Sequence, residues 1–594
     1  MATQTKKYGD KMNWDLSAMY SGSEDPKLTK DLKALQVAAA NIELKHKGKL
    51  AKYNAKQLRS FFIDNDKFTD KLYRLDAFSE LAVSRNSADQ QALVLSQKLK
   101  LAIADLSSHF IFIDIELAKH PKLKELEKSK ELAPFNIYIE NILKFKKHLL
   151  KHDQEDIINK LSVTARDGWD KLGEQNFSKA TQLFRGKLLT KEQLFNLVRS
   201  EDRQTRKDAA NAYSELLNKN IDLNVHIYNM LLLNKFQEDK LRKYNYPEES
   251  RHLANGVTES SVDLMVELAK QNVGDVQRFY RIKRKLLKLK DLYYYDRLAE
   301  VSLKNAKVQK YNYSEAVEMV QQSFLGFDPE FASIFLDLVN SNRIDAEVRK
   351  GKRGGGFCMY MPKDIKPYIL VNFFGSPRDI QTLAHEAGHA IHDTLATKKL
   401  PLSVAHPPLS LAEVSSIFGE MIMFESLLKK AKTREQKIVL LVERLDDILA
   451  TIFRQIAYYI FEKKAHNQLR EKGALTEVQL KEYWQEAQKA TYGDSVKVDD
   501  DFGNWWSYIS HFYSSPFYVY AYSMANLLVF AIYKKYKDGD PNFVEKYKSF
   551  LALGGTKTTS EAVQQFGFDL EDPNFWKQGF AVVTDLIDQL EALC

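Results

Sequence analysis

The side chains best suited to chemistry are the two histidines and the glutamate of the segment Leu383-Ala-His385-Glu386-Ala-Gly-His389. In an α-helix, residues four positions apart lie on the same face, so His385 and His389 can bind one metal ion together. Glu386 follows the first histidine directly, and from there its carboxylate can reach a water at the open position of the metal and act as a general base. The pattern therefore predicts a metal centre that activates water.

The residues before this segment predict the helix that it needs. Ser376-Pro377-Arg378-Asp379 provides an N-cap serine, a proline at the first helical position and an acid three residues after the cap. An apolar stripe follows, and Pro401 ends the run. The alternative is a chance match on an ordinary amphipathic helix. Histidines and a glutamate buried among alanines need polar partners, however, and a metal ion provides one.

A catalytic zinc site of this kind needs a third protein ligand. The metzincin pattern fails, because its third histidine would fall at position 395, which is a leucine. Glu413 lies on a second predicted helix that can return beside the first after Pro407-Pro408. Ser410 and Glu413 also fit a capping box, but a carboxylate within an apolar stripe favours metal binding. The predicted ligands of one Zn²⁺ per chain are His385, His389 and Glu413.

Two further residues lie close to this pattern. Glu420 follows Glu413 by two helical turns on the same face, and it can serve as a hydrogen-bond partner of a ligand. His392 follows His389 by three positions, but nothing in the chemistry requires it to touch the metal.

Composition excludes several classes of protein. Of the 594 residues 44% are hydrophobic and 28% charged, a globular balance, and the net charge of +8 is a small difference between 87 basic and 79 acidic residues. No run approaches the roughly 20 apolar residues of a membrane span. The two cysteines cannot form a disulfide framework. We expect a cytoplasmic protein with no nucleic-acid, membrane or obligate protein partner.

Few prolines and glycines and long stretches of helical periodicity predict a mainly α protein. We place an N-terminal helical region at 1–200 and a catalytic domain at 201–594. Two strand-like runs, 357–361 and 368–374, follow the glycine cluster and predict a small β-hairpin next to the metal-binding helix. Its exposed edge could pair with an extended peptide, and the residues expected to contact substrate there are Val371, Asn372 and Phe373. The alternative is a hairpin that only covers the core.

Several segments together resemble the M3 family of zinc metallopeptidases, oligoendopeptidase F type. They are His-Glu-Ala-Gly-His-Ala-Ile-His at 385–392, Ala-Glu-Val-Ser-Ser at 412–416, Trp-Asp-Leu-Ser at 14–17, the glycine cluster ending at Cys358, and His511 before a tyrosine-rich stretch. The resemblance implies two helical lobes that enclose a deep channel, with zinc at its floor in a thermolysin-like gluzincin core. It also implies that short peptides are the substrates.

The resemblance extends to the aromatic segment 511–522, which is similar to the family's substrate-gripping loop. That loop is glycine-rich in relatives, whereas this chain has Ser514, Ser515 and Pro516. The catalytic residues expected beside Glu386 are His511, Tyr518 and Tyr520, and Tyr522 is expected to contact substrate. For each tyrosine, a place in the core or the channel lining is the alternative.

The activity predicted is zinc-dependent hydrolysis of internal bonds in short unfolded peptides, by water that Glu386 activates. An exopeptidase is one alternative, and it would need a fixed cation for a terminal carboxylate; Arg343, Arg349 and Arg353 lie nearby in sequence. A catalytically silent helical peptide-binding protein is another. The intact general base argues against it, because a structural zinc site needs none.

Overall fold

The computed structural model describes residues 8, 11–304, 306 and 309–594. Over these residues the chain is mainly helical, as predicted, with five short strands. None of the described helices is both long and apolar enough to cross a membrane. The helices are α1 (Pro26–His46), α2 (Ala55–Arg85), α3 (Gln90–Ser108), α4 (Phe112–Ala118), α5 (Leu123–Leu126), α6 (Asn136–Phe145), α7 (His152–Ser162), α8 (Arg166–Lys179), α9 (Lys191–Leu197), α10 (Arg203–Lys219), α11 (Ile221–Arg242), α12 (Glu249–Asn255), α13 (Glu259–Gln271), α14 (Val273–Leu286), α15 (Tyr313–Leu325), α16 (Pro329–Asn340), α17 (Pro377–Thr397), α18 (Leu402–Ala405), α19 (Leu409–Lys430), α20 (Arg434–Leu449), α21 (Gln455–Lys472), α22 (Glu477–Tyr492), α23 (His511–Ser514), α24 (Tyr520–Lys537), α25 (Phe543–Leu551), α26 (Thr559–Val563) and α27 (Pro573–Ala592).

The chain forms two compact units, each assembled from three separate segments. Over their described residues, the first unit takes in Met1–Lys147, Val308–Lys430 and Lys535–Gly567, and the second takes in His148–Lys307, Ala431–Lys534 and Phe568–Cys594. The boundary predicted near residue 200 falls inside the second unit. The two predicted sequence regions therefore do not coincide with the two compact units.

The strands form two small sheets. In the second unit, β1 (Thr181–Phe184) and β2 (Lys187–Thr190) pair as an antiparallel hairpin. In the first unit, the order is β3 (Ile344–Asp345), β5 (Tyr368–Leu370), β4 (Phe357–Met359). Strand β5 runs antiparallel to β4, which confirms the predicted hairpin, and parallel to β3, which pattern alone did not indicate.

The position of β5 corrects the predicted peptide-binding edge. The chain beyond β5 continues to pair with the β3 side, because the N–H groups of Val371 and Phe373 donate to the carbonyls of Asp345 and Ala346 at 2.9 and 3.1 Å. Backbone groups engaged in this way cannot accept a further strand. Among the described strands, the edge next to α17 belongs to β4 instead.

Helix α17 begins as the sequence predicts. The hydroxyl of Ser376 accepts from the N–H of Asp379, and the carboxylate of Asp379 accepts from the N–H of Ser376 in a capping box, with Pro377 at the first helical position. These bonds provide acceptors for backbone N–H groups at the start of the helix that have no partner within the helix. The helix ends at Thr397, before Pro401.

Two glycines let α17 and α19 pack with their backbones in near contact. A Cβ atom at Gly388 of α17 would lie 2.4 Å from the carbonyl oxygen of Ser415. A Cβ at Gly419 of α19 would lie 2.9 Å from that of Ala384. Both separations are too short for any side chain, so glycine at these positions sets the distance between the two helices.

We expect Gly388→Ala to lower the free energy of unfolding by about 1–3 kcal/mol, because the added methyl group forces the helices apart. The measurement is denaturant unfolding followed by circular dichroism. Gly274→Ala is the matched control: it also lies within a helix, a Cβ there meets no atom within 4 Å, and alanine favours the helical state. Equal stability of the two variants would contradict this account of the packing.

Candidate metal centre and active site

The two histidines of α17 present their Nε2 atoms to one carboxylate oxygen of α19. Oε2 of Glu413 lies 3.5 Å from Nε2 of His385 and 3.5 Å from Nε2 of His389. Donor atoms around a tetrahedral zinc with bonds of about 2.0–2.2 Å are separated by about 3.3–3.6 Å. The carboxylate oxygen therefore lies from each ring nitrogen at the distance that separates two ligands of such an ion, and these residues fit a metal ion. Ligand atoms of His385, Glu386 and His389 also lie within 4.8 Å of one another.

The carboxylate of Glu413 is oriented toward the histidines by its own helix. The hydroxyl of Ser416 donates to Oε2 at 2.7 Å. Although burial disfavours the charged form, the two imidazoles and this hydroxyl hold the pKa of Glu413 below its ordinary value. Ser410 lies inside α19 and its hydroxyl is bonded to Thr559, so the alternative capping box of Ser410 and Glu413 does not form.

The second nitrogen of each histidine also has a partner. Nδ1 of His385 lies 2.5 Å from Oε1 of Glu420, and Nδ1 of His389 lies 3.3 Å from the hydroxyl of Tyr360. The backbone of Ala412 is a further hydrogen-bond partner of the His389 ring. A histidine that binds a metal through Nε2 carries its proton on Nδ1 and donates it to such a partner. His392 is buried, and the backbone of Leu551 is its hydrogen-bond partner.

Burial and charge act differently on the two histidines. Burial disfavours the charged form of His385, but the carboxylates of Glu420, Glu386 and Glu413 together outweigh it, and the pKa of His385 rises to about 10. Burial lowers the pKa of His389 to about 4. The metal-free site at neutral pH therefore holds one imidazolium, paired with Glu420, and one neutral imidazole.

Glu386 is placed to act as a general base. Its side chain is buried, which raises its pKa to about 7. A Cβ atom at Gly356 would lie 3.0 Å from Oε1 of Glu386, so the chain entering β4 passes directly beside the carboxylate. A carboxyl group that titrates near neutrality can both accept and deliver a proton at physiological pH.

In the second unit, three of the predicted aromatic residues form one cluster. Nε2 of His511 lies 3.1 Å from the hydroxyl of Tyr522. The ring of Tyr518 stacks on His511 at 5.6 Å and meets the edge of Tyr522 at 5.2 Å. All three side chains are half-buried, so each keeps a surface that can contact another molecule.

Tyr520 does not belong to this cluster. Its side chain is 0% exposed, and its hydroxyl is bonded to Nδ1 of His252 at 2.9 Å and to Nδ2 of Asn255 at 2.8 Å. A hydroxyl held by two interior partners anchors the loop and does not face a substrate. This geometry argues against the predicted catalytic role of Tyr520.

The residues after β5 that were predicted to contact substrate are instead part of the packing of the sheet. Val371 and Phe373 are buried. The side-chain amide of Asn372 donates to the carbonyls of Arg353 and Gly355, at 3.0 and 2.9 Å, and so ties this segment to the glycine cluster. Their role is to position the chain that leads into β4.

Four residues that shape the site were missed from the sequence: Tyr360, Gly356, Gly388 and Gly419. A signal existed for the last two, because glycine inside an amphipathic helix is costly unless close packing requires it. No pattern singles out Tyr360, whose position depends on the pairing of β4 with β5.

A His-Glu-x-x-His helix with a glutamate of a following helix beside both histidines is typical of a metallopeptidase. The chain belongs to peptidase family M3: the sequence model of that family matches residues 196–582, and the model named Oligopeptidase F matches residues 119–181. The protein is thus a metallopeptidase that hydrolyses peptide bonds.

Individual relatives match over nearly the whole chain. The chain is 25% identical to the chromosomal oligoendopeptidase F of Lactococcus lactis subsp. cremoris, over 98% of this chain and 97% of that one. It is 25% identical to oligopeptidase PepF of Bacillus subtilis, over 98% of this chain and 87% of that one. The fold is similar to the crystal structure of a peptidase from Chlamydophila abortus, with a TM-score of 0.86, 22% identity and 99% of each chain covered.

Zinc binding should strengthen with pH, because the metal must displace a proton from His385. Its pKa of about 10 in the metal-free protein keeps the imidazole protonated between pH 7.5 and 9. The logarithm of the zinc affinity should therefore rise by about one unit per pH unit across this range. Competition titration against a chelator of known affinity measures it. An affinity that does not change with pH would contradict the charge states described here.

Proposed function

We propose that this metallopeptidase is a zinc-dependent oligoendopeptidase that hydrolyses internal bonds of short, unfolded peptides in the cytoplasm. The observation that carries the proposal is the meeting of two Nε2 atoms and one carboxylate oxygen at 3.5 Å beside the buried Glu386. Similarity to an oligoendopeptidase F and an oligopeptidase supports the preference for short peptides. Both cysteines are free thiols, as is usual in a reducing compartment.

His385, His389 and Glu413 would hold the zinc ion. When bound, zinc supplies a Lewis acid that polarises the scissile carbonyl and lowers the pKa of a water molecule. Glu420 holds His385 through Nδ1 in the tautomer that leaves Nε2 free to bind.

Glu386 moves the proton. Its carboxylate accepts a proton from the attacking water, and the resulting carboxylic acid delivers it to the leaving amine. Burial favours the neutral carboxyl between these two steps, which is the physical meaning of a pKa near 7.

The open edge of β4 is the proposed docking place of the substrate backbone. The N–H of Ile369 in β5 donates to the carbonyl of Arg343, so the backbone groups of Ile369 face β3. Its partner in β4, Cys358, is therefore at a non-hydrogen-bonded position, with its own N–H and C=O directed away from β5. A peptide added as a strand along this edge would lie next to Glu386, since a Cβ atom at Gly356 would lie 3.0 Å from that carboxylate.

We also propose oxyanion donors from the aromatic cluster, on the resemblance of this segment to the family alone. His511 and Tyr518 are the candidates, with Tyr522 orienting His511 through its ring nitrogen. A donor aimed at the developing charge typically contributes about 3 kcal/mol to the stability of the transition state. Similarity of this segment to the family's substrate-gripping loop supports the assignment.

The exopeptidase alternative finds less support. Each arginine suggested as an anchor for a terminal carboxylate already has a partner. Arg349 pairs with Asp345 at 2.6 Å, Arg353 pairs with Glu80 at 3.2 Å, and Arg343 donates to the carbonyl of Asp15 at 3.0 Å. A terminal carboxylate would have to displace these contacts.

Glu386→Gln should leave zinc bound but lower kcat by at least about 10³-fold, because the amide cannot accept the proton of the attacking water. Zinc content and peptide turnover are measured on the same preparation. Glu425→Gln is the control, since Glu425 lies on α19 but pairs with Lys537. Turnover close to that of the wild type in Glu386→Gln would contradict the assignment.

A quenched peptide of about ten residues, blocked at both ends, should be cut at an internal bond, because the proposed docking through backbone groups requires no free terminus. A chelator should stop cleavage and zinc should restore it, with the products identified by mass spectrometry. Cleavage restricted to unblocked peptides would instead show an exopeptidase. No cleavage of any peptide by the zinc-loaded protein would favour a binding protein.

A further inference from the structure

Tyr360 follows strand β4 and its hydroxyl lies 3.3 Å from Nδ1 of His389. The Tyr360 ring also meets the ring of His406 edge-on at 5.1 Å, and His406 in turn faces Tyr73 at 5.9 Å. Tyr360 is therefore packed in a row of aromatic rings that ends on the second histidine of the metal centre.

The backbone next to Tyr360 is fixed to the same helix as His389. The N–H of Met361 donates to Oδ2 of Asp393 at 3.0 Å, and the side chain of Asp393 is buried. Asp393 follows His389 by four positions, so both lie on one face of α17. Two bonds, one from a side chain and one from the backbone, thus hold the end of β4 against this face.

We propose that Tyr360 is a positioning residue of the metal centre: its hydroxyl accepts the Nδ1 proton of His389 and so fixes the tautomer and ring orientation in which Nε2 binds the metal. The proposal deepens the function proposed above and rests on it. For His389 the side-chain partner is a phenol, in addition to the backbone of Ala412, whereas for His385 it is the carboxylate of Glu420.

The difference between these two partners has an electrostatic consequence. Glu386, Glu413 and Glu420 already bring three carboxylates to the site of one divalent ion. A fourth carboxylate, hydrogen-bonded to His389, would add negative charge and weaken the electrostatic attraction between the metal and the oxygen of a substrate carbonyl. A neutral phenol holds the ring in place without adding charge.

The test uses the protein loaded with cobalt(II) in place of zinc. The ring N–H protons of the two ligand histidines should give two exchangeable, hyperfine-shifted proton NMR signals. Tyr360→Phe should abolish one of them or speed its exchange with solvent, and Glu420→Gln should affect the other. Zinc affinity should fall about tenfold in Tyr360→Phe. This is the lower end of the roughly 10- to 100-fold loss that is typical when a hydrogen-bond partner of a metal ligand is removed.

Tyr73→Phe is the matched control, because it removes a phenol from the same row whose hydroxyl is bonded to Met359 and not to a histidine. It should leave both signals and the zinc affinity unchanged. Unchanged signals and affinity in Tyr360→Phe, or equal losses in both variants, would overturn the proposal. A wild-type protein that binds no cobalt would overturn the metal centre as well. Intact signals with no cleavage of any peptide would contradict the proposed function alone.

Discussion

The close approach of helices α17 and α19 is the constraint on which the site depends. A carboxylate can share one ion with two histidines of another helix only if the two backbones are nearly in contact. Gly388 and Gly419 make this possible, since any Cβ there would collide with a carbonyl of the facing helix. The same packing brings Glu420 to His385, so the proposed metal ligand Glu413 and the hydrogen-bond partner of His385 come from one face of α19, two turns apart.

This packing brings several ionisable side chains close together. Two imidazoles and three carboxylates are gathered in a partly buried place, and their pKa values are shifted in opposite directions. Groups buried in this way destabilise a fold unless they are paired or bind a metal. A divalent cation resolves the conflict, because it neutralises the carboxylates and replaces the proton that His385 otherwise retains.

Local signals allowed much of this to be predicted from the sequence. The cap at Ser376, the spacing of His385 and His389 and the return of Glu413 all depend on short segments, and the structure has the helices that they require. Features that depend on distant pairing were not predictable. Strand β3 has two residues, too few to show a pattern. Because β3 pairs with β5, the edge of the sheet is β4 and not the segment 371–374.

The difference between local signals and distant contacts also explains which predictions failed in the aromatic segment 511–522. Tyr518 and Tyr520 are both tyrosines of one short stretch, and sequence alone cannot tell which is exposed. Tyr520 is buried because His252 and Asn255, more than 260 positions away, bind its hydroxyl.

X-ray absorption at the zinc K edge tests the central claim most directly. The protein should hold one zinc per chain, with two imidazole nitrogens and oxygen donors at about 2.0–2.2 Å and no sulfur neighbour. His389→Ala should remove one imidazole from the spectrum. A sulfur at about 2.3 Å, or a wild-type spectrum that His389→Ala leaves unchanged, would place the metal elsewhere and contradict the account.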